Sequence, residues 1–260
     1  MLIAGLILLA LAAVAAGVAY WQHRKHEELT AVEGSSCGQL RQLADAVSVS
    51  AGGGAFRQRC ELSGSAKAAY VGTVKGPQTG QEALWFRSKV THEFYDYEYD
   101  HDDDYGRKRK RVKKSRVLSD EKSDIPFAVH DGTGEAVVHP EDADIDSPVQ
   151  VLDQMDANIE QSGDLWDSIK GKLSGVDETI GYKREEWIIP VDTKLFVQGE
   201  VTDEGGHLRL RKPEKGTFRV STRSEQELLA SAAGWRKWMS IGAGALAFIA
   251  LVLVVVGLVA

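Results

Sequence analysis

Cysteine is scarce in this sequence: Cys37 and Cys60 are the whole supply in 260 residues. Two thiols cannot build a disulfide framework, and alone they cannot furnish a four-ligand zinc site. They read as free thiols, with a single bridge as the alternative in an oxidising compartment. An excess of positive charge is missing too. The formal charge of −7 argues against general nucleic-acid binding by the whole chain. No lysine–serine or lysine–threonine pair follows the glycine triplet at 52–54, so that run reads as a turn and not a phosphate loop. Signatures of a serine elbow or a zincin helix are also lacking. The sequence therefore points to no cofactor, no metal site and no catalytic set.

Charge of either sign is absent from both ends. The run 239–260 contains none, and neither does 2–21. Each is about the 20 apolar residues that a helix needs to cross the hydrocarbon of a bilayer. A cleaved signal peptide would carry positive charge ahead of its apolar stretch. Here the charge lies after it, so the first run reads as an uncleaved transmembrane helix. Trp21, Arg24 and Lys25 follow the first span, and Trp235, Arg236, Lys237 and Trp238 precede the second. These types anchor at the membrane interface. Basic residues on the inner side of both spans put residues 22–238 in the cytoplasm, with a periplasmic or extracytoplasmic placement as the alternative. The lipid bilayer is thus an expected partner, and the localisation is a two-span cell-membrane protein.

Between the spans, residues 22–54 read as a linker and a short helix capped by Ser35 or Ser36, with Leu40, Leu43, Ala44 and Val47 at helical spacing. From residue 55 to 223 the period changes to two. Strands are expected over 56–62, 66–75, 179–192 and 194–202, with hairpin returns at 125–139 and 207–211. Residues 149–176 read as a polar insertion, helical in part. Asp142, Asp144 and Asp146 imitate the opening of a calcium loop, but Ser147 stands at the sharp-turn position and an acidic surface loop is the plainer reading. Ser224 with Glu227 makes a capping box for a juxtamembrane helix over 224–238. The expected fold is a mainly β (α+β) domain of short antiparallel strands, a small barrel or sandwich, inserted between two transmembrane helices.

The most polarised stretch is a predicted hairpin over 85–119. Its first arm ends in acids and tyrosines. Its second carries Arg107, Lys108, Arg109, Lys110, Arg111, Lys113, Lys114 and Arg116. If cross-strand partners sum to 206, Glu98 faces Lys108, Asp96 faces Lys110 and Phe94 faces Val112, while tyrosines 95, 97 and 99 meet arginines 111, 109 and 107. Such pairs contribute about 0.2–1 kcal/mol each. The rival role for the basic run is contact with anionic lipid, another polyanion or a protein partner. Specific nucleic-acid binding is not expected, because acids a few residues upstream offset its field.

Several segments resemble a known family. They are Trp85–Arg87, Ile125–Phe127 with Asp131, Gly181–Pro190, Leu195–Glu200 and Ser221–Leu229. In this order, with a span on either side, they are similar to the GIDE domain, also called the beside-a-membrane or BAM domain, of the mitochondrial E3 ubiquitin ligases MAPL or MULAN and of prokaryotic relatives. The resemblance implies a membrane-side domain with a role in stress or signalling. In those ligases a RING finger with two zinc ions follows the second span. The present sequence stops at Ala260, and its two cysteines and seven histidines do not make eight zinc ligands. The expectation is a non-catalytic, membrane-anchored binding module for an unnamed protein or lipid. The alternative is a ligase-family protein that needs a RING from a partner. The mitochondrial relatives place this domain outside the matrix side, opposite to what the basic flanks here predict.

Overall fold

A computed structural model describes residues 34–99, 109–157 and 178–224, together with Gly17 and Glu227. Apart from Gly17, both predicted spans lie outside these residues, as does most of the juxtamembrane helix. Among the described residues no helix is long and apolar enough to cross a membrane.

The chain enters through helix α1 (Cys37–Ala51). Ser36 caps it: its hydroxyl accepts the Gln39 N–H while the Gln39 side chain accepts the Ser36 N–H, satisfying two donors that the first turn leaves without partners. Leu40 and Ala44 are buried on one face. Gly52, at φ 89°, ends the helix in a backbone conformation that side chains disfavour. The buried Asp203 carboxylate then accepts the N–H groups of Gly54 and Phe56 at 3.1 Å each, fixing where the first strand begins.

Strand β1 (Arg57–Ala68) is one 12-residue strand, not the two pieces that 56–62 and 66–75 had predicted. The chain turns at 69–72 and continues in the short pair β2 (Val74–Lys75) and β3 (Glu82–Ala83). Strands β4 (Trp85–Tyr99) and β5 (Arg109–Lys122) follow, then the hairpin β6 (Phe127–His130) and β7 (Glu135–Val138). The rest is β8 (Asp144–Asp146), β9 (Val149–Asp156), β10 (Glu178–Ile189), β11 (Lys194–Thr202), β12 (Arg209–Arg211) and β13 (Arg219–Ser221). Of the insertion 149–176, expected to be helical in part, the opening residues form strand: the backbone pairs along β10, from Ile188 with Val149 to Tyr182 with Asp156. The remainder of that insertion lies outside the described residues.

Five strands close a barrel in the order β1-β6-β7-β12-β11, and β11 returns to β1. All neighbours are antiparallel except β7 and β12. This is the connectivity of a five-stranded Greek-key barrel of OB type, and the fold alone assigns no ligand. β1 serves two partners, β11 along Arg57–Ser65 and β6 along Ser65–Ala68. Gly64 sits at the hand-over, where a Cβ would stand 2.5 Å from the His130 carbonyl oxygen. Only glycine allows that approach. Phe127, Leu62, Leu210 and Ile189 are buried in the interior with the α1 face, each worth about 1.5–3 kcal/mol against exposure.

The remaining long strands form a separate antiparallel sheet, β5-β4-β10-β9. β4 and β5 are inserted between the first two barrel strands, and β9 and β10 between the third and fourth. Its root is shared with the barrel: Leu84, Trp85 and Ile189 belong to the barrel core. The carboxylate of Glu186, on β10, is buried and accepts the Gln78 N–H at 2.7 Å, the Thr79 N–H at 3.3 Å and the Thr79 hydroxyl. That clasp holds the 76–81 turn against the sheet.

Candidate functional site

The polarised hairpin is present, in a different register from the one expected. Partners sum to 208 near its end: Tyr99 faces Arg109, Glu98 faces Lys110, Tyr97 faces Arg111 and Asp96 faces Val112. The two-residue offset keeps every side chain on its predicted face but gives it a new partner. Charges then meet on the diagonals that strand twist brings close. Lys114 reaches Asp96 at 2.7 Å and Lys113 reaches Glu93 at 2.6 Å. Arg111 pairs with Glu178 of β10 at 2.5 Å and lies over the Tyr95 ring at 3.6 Å. Arg116 stands 5.7 Å from the Phe94 ring. A bulge between Val90 and Thr91 lets Leu118 turn inward and become buried.

Three members of the proposed polyanion surface, Arg111, Lys113 and Lys114, are thus engaged by carboxylates of their own sheet. Lys110 is exposed. Arg107 and Lys108 lie outside the described residues, and Arg109 is described in its backbone alone. Trp21, Arg24, Lys25, Trp235, Arg236, Lys237 and Trp238 also lie outside. The Asp96 carboxyl is held below the usual range by its hydrogen bond from Lys114. The acidic run does not form a calcium loop either. Asp144 pairs with Arg219 at 3.2 Å, and Asp146 accepts from Arg223 at 2.7 Å and from the Ser221 hydroxyl at 2.7 Å. Among the described residues no cluster of histidine, cysteine and acidic side chains is placed to hold a metal ion.

A second surface emerges on the barrel. A groove of about 610 Å³ is lined by Ser63 and Ser65 of β1, His130 and Asp131 at the end of β6, Lys194 of β11, and Thr222 to Ser224 beyond β13. Asp131 anchors its floor by accepting the Cys37 N–H at 2.6 Å and those of Thr133 and Gly134 at 2.8 and 3.1 Å. Burial opposes its charge, but these donors outweigh burial and keep its pKa below the ordinary carboxylate value. The Ser224–Glu227 capping box closes one side: the Ser224 N–H donates to Glu227 at 3.0 Å, and the Glu227 N–H to Ser224 at 3.3 Å. Hydroxyls, an imidazole, the Lys194 amine, the Arg223 guanidinium and two carboxylates line it beside Leu195 and Phe196. Sequence reasoning did not single out His130 or Lys194, which lie 64 positions apart and meet only through the barrel. The hint it held was the capping box and Asp131.

Both cysteines are free and lie in the barrel core. Burial, with Asp131 adding to it, pushes the Cys37 thiol up to about 12. Burial, with Glu61 next, pushes Cys60 up to about 12. Neither is a metal ligand or nucleophile in this setting.

A small Greek-key barrel carrying a long antiparallel sheet, with a groove on the barrel, defines a mainly β domain. A family profile described as "GIDE: E3 Ubiquitin ligase" matches residues 95–257, and the chain belongs to that family. Among curated proteins it is similar to E3 ubiquitin-protein ligase SPL1 of Arabidopsis thaliana, 28% identical over 111 residues, covering 42% of this chain and 32% of the relative. It is also similar to E3 ubiquitin-protein ligase SP1 of the same plant, 27% identical over 137 residues, covering 50% of this chain and 38% of the relative. The chain thus spans about a third of the length of these relatives. No solved structure matches it significantly.

Proposed function

We propose that this protein is a membrane-anchored, non-catalytic binding module of the GIDE family. In this reading segments 2–21 and 239–260 are the anchors, the domain between them sits in the cytoplasm, and the barrel groove and the sheet engage a protein or lipid beside the bilayer. The observation that carries the non-catalytic half is the burial of Cys37 and Cys60 in the barrel core. The cysteine supply of these 260 residues is spent on packing, so the paired zinc ligands of a RING have no source within them. The relatives' names favour a second reading, in which this chain serves ubiquitin transfer by working with a partner that supplies a RING.

Anchoring is tested by alkaline carbonate extraction of membranes from cells making the full chain. The protein is expected to stay with the membrane pellet. Release into the supernatant would refute anchoring by apolar spans.

A further inference from the structure

Three exposed apolar side chains gather at one end of the barrel. Tyr70 is 80% exposed, Val71 49% and Val191 39%. Tyr70 and Val71 form the tip of the turn closed by the Gly72 N–H to the Ala69 carbonyl at 2.9 Å. Val191 sits in the turn between β10 and β11. Two bonds sew this second turn to the end of β1 that leads into the first: the Asp192 N–H donates to the Ala66 carbonyl and the Ala66 N–H to the Thr193 carbonyl, each at 2.8 Å. Lys67 pairs with Asp192 across the seam. Lys194, exposed at the start of β11, stands beside it at the edge of the groove.

The chain leaves the barrel at this same end. β13 runs antiparallel to β11, with Ser221 opposite Phe196 and Arg219 opposite Gln198. Thr222, Arg223 and Ser224 therefore continue toward Lys194 and the turn that carries Val191. Ser224 and Glu227 share the groove with Ser65 and Lys194, and the apolar run 239–260 follows shortly after. An aromatic tip, two valines and flanking lysines, next to the exit toward an apolar segment, have the composition that settles at the level of lipid headgroups.

We propose that this end of the barrel, Tyr70, Val71 and Val191 flanked by Lys67 and Lys194, rests in the headgroup layer of the bilayer that anchors the chain. The proposal rests on the anchored reading and adds which face of the domain meets the lipid. It also places the mouth of the groove at the membrane surface, within reach of headgroups.

The test is site-directed spin labelling of the full chain in vesicles of phosphatidylcholine and phosphatidylglycerol. Separate Tyr70→Cys, Val191→Cys and Val49→Cys variants are labelled. The native cysteines are buried and take no label in the folded protein. Val49, 88% exposed in the last turn of α1, is the reference. The chain just after it, at Gly54 and Phe56, is bonded to Asp203, beyond the end of β11 that lies about 25 Å from Lys194 by the usual rise. Labels at 70 and 191 are expected to show an oxygen-to-nickel collision ratio about threefold or more above that at 49, as for a site at the headgroup layer. Equal ratios at all three sites in vesicle-bound protein would overturn the proposal while leaving anchoring intact. Dipolar broadening at 70, at a ratio like that of 49, would show that a second copy covers the patch and would also overturn it. A chain that does not float with the vesicles would refute the anchored reading itself, and this surface with it.

Discussion

Replacing Glu186 by glutamine should loosen the joint between the barrel and the long sheet. Its Oε2 accepts the Gln78 N–H at 2.7 Å, and its Oε1 accepts the Thr79 N–H at 3.3 Å and the Thr79 hydroxyl. A backbone N–H faces each oxygen, and the Thr79 hydroxyl donates to Oε1 as well. Glutamine keeps one oxygen and turns an NH₂ toward the other donor set, so a buried donor faces a donor. An unsatisfied buried N–H costs about 1–3 kcal/mol, and hydrogen bonds to a charged acceptor are worth about 1.5–3 kcal/mol. Against this, the variant recovers part of the cost of burying a carboxylate. The net expectation is a loss of about 2–4 kcal/mol, because donors meet both oxygens of the charged form. For a domain of this size that is about 5–15 °C in Tm. Thermal unfolding of the full chain in detergent reads the first number. Hydrogen exchange reads the second consequence, since amide protection of Gln78 and Thr79 should fall by about 30-fold or more for a 2 kcal/mol loss. A shift under about 0.5 kcal/mol with unchanged protection of 76–81 would show that the carboxylate does not hold the turn.

Three further outcomes follow from geometry. Exchanging Asp96 with Lys114 should restore most of the stability that either single change removes, whereas exchanging Asp96 with Lys110 should restore none; a thermal double-mutant cycle distinguishes them, and each effect should be small at this exposed site. With thiols at about 12, Cys37 and Cys60 should react with a disulfide reagent at pH 8 about three orders of magnitude more slowly than an ordinary thiol. Two equivalents should titrate once guanidinium unfolds the chain, and fast native reaction would contradict the core assignment. Asp131 has a folded pKa below its unfolded value, so its stabilising share is complete above about pH 4 and disappears as the pH falls through the folded pKa. Asp131→Asn should therefore lower stability at pH 7 and flatten that acid limb, measured by urea unfolding across pH 2–7.

The sequence made much of the barrel readable because its signals are local. Ser36 and Gln39, or Ser224 and Glu227, declare caps three residues apart. The short apolar run within 194–202 and the glycine turn at 132–134 mark strands whichever partners they find. Pairing was less legible. The odd-or-even register of the hairpin was visible in its charges, but a two-residue slip keeps each residue on its face and only exchanges direct partners for diagonal ones. Val151 and Met155 are spaced like a helix face, yet β10 offers Arg184 and Lys183 to their strand. The three-residue strands β8 and β13, which pair in parallel with Val220 opposite Ile145, carry too little pattern to announce that pairing, and the groove assembles residues from across the sequence.

Whether the GIDE domain acts here as a binding module is decided most directly by ubiquitin transfer. The full chain, reconstituted in vesicles with ubiquitin, its activating enzyme and a charged conjugating enzyme, should leave discharge at the rate of the conjugating enzyme alone. Stimulated discharge, or zinc bound in stoichiometric amount to the same preparation, would contradict the account.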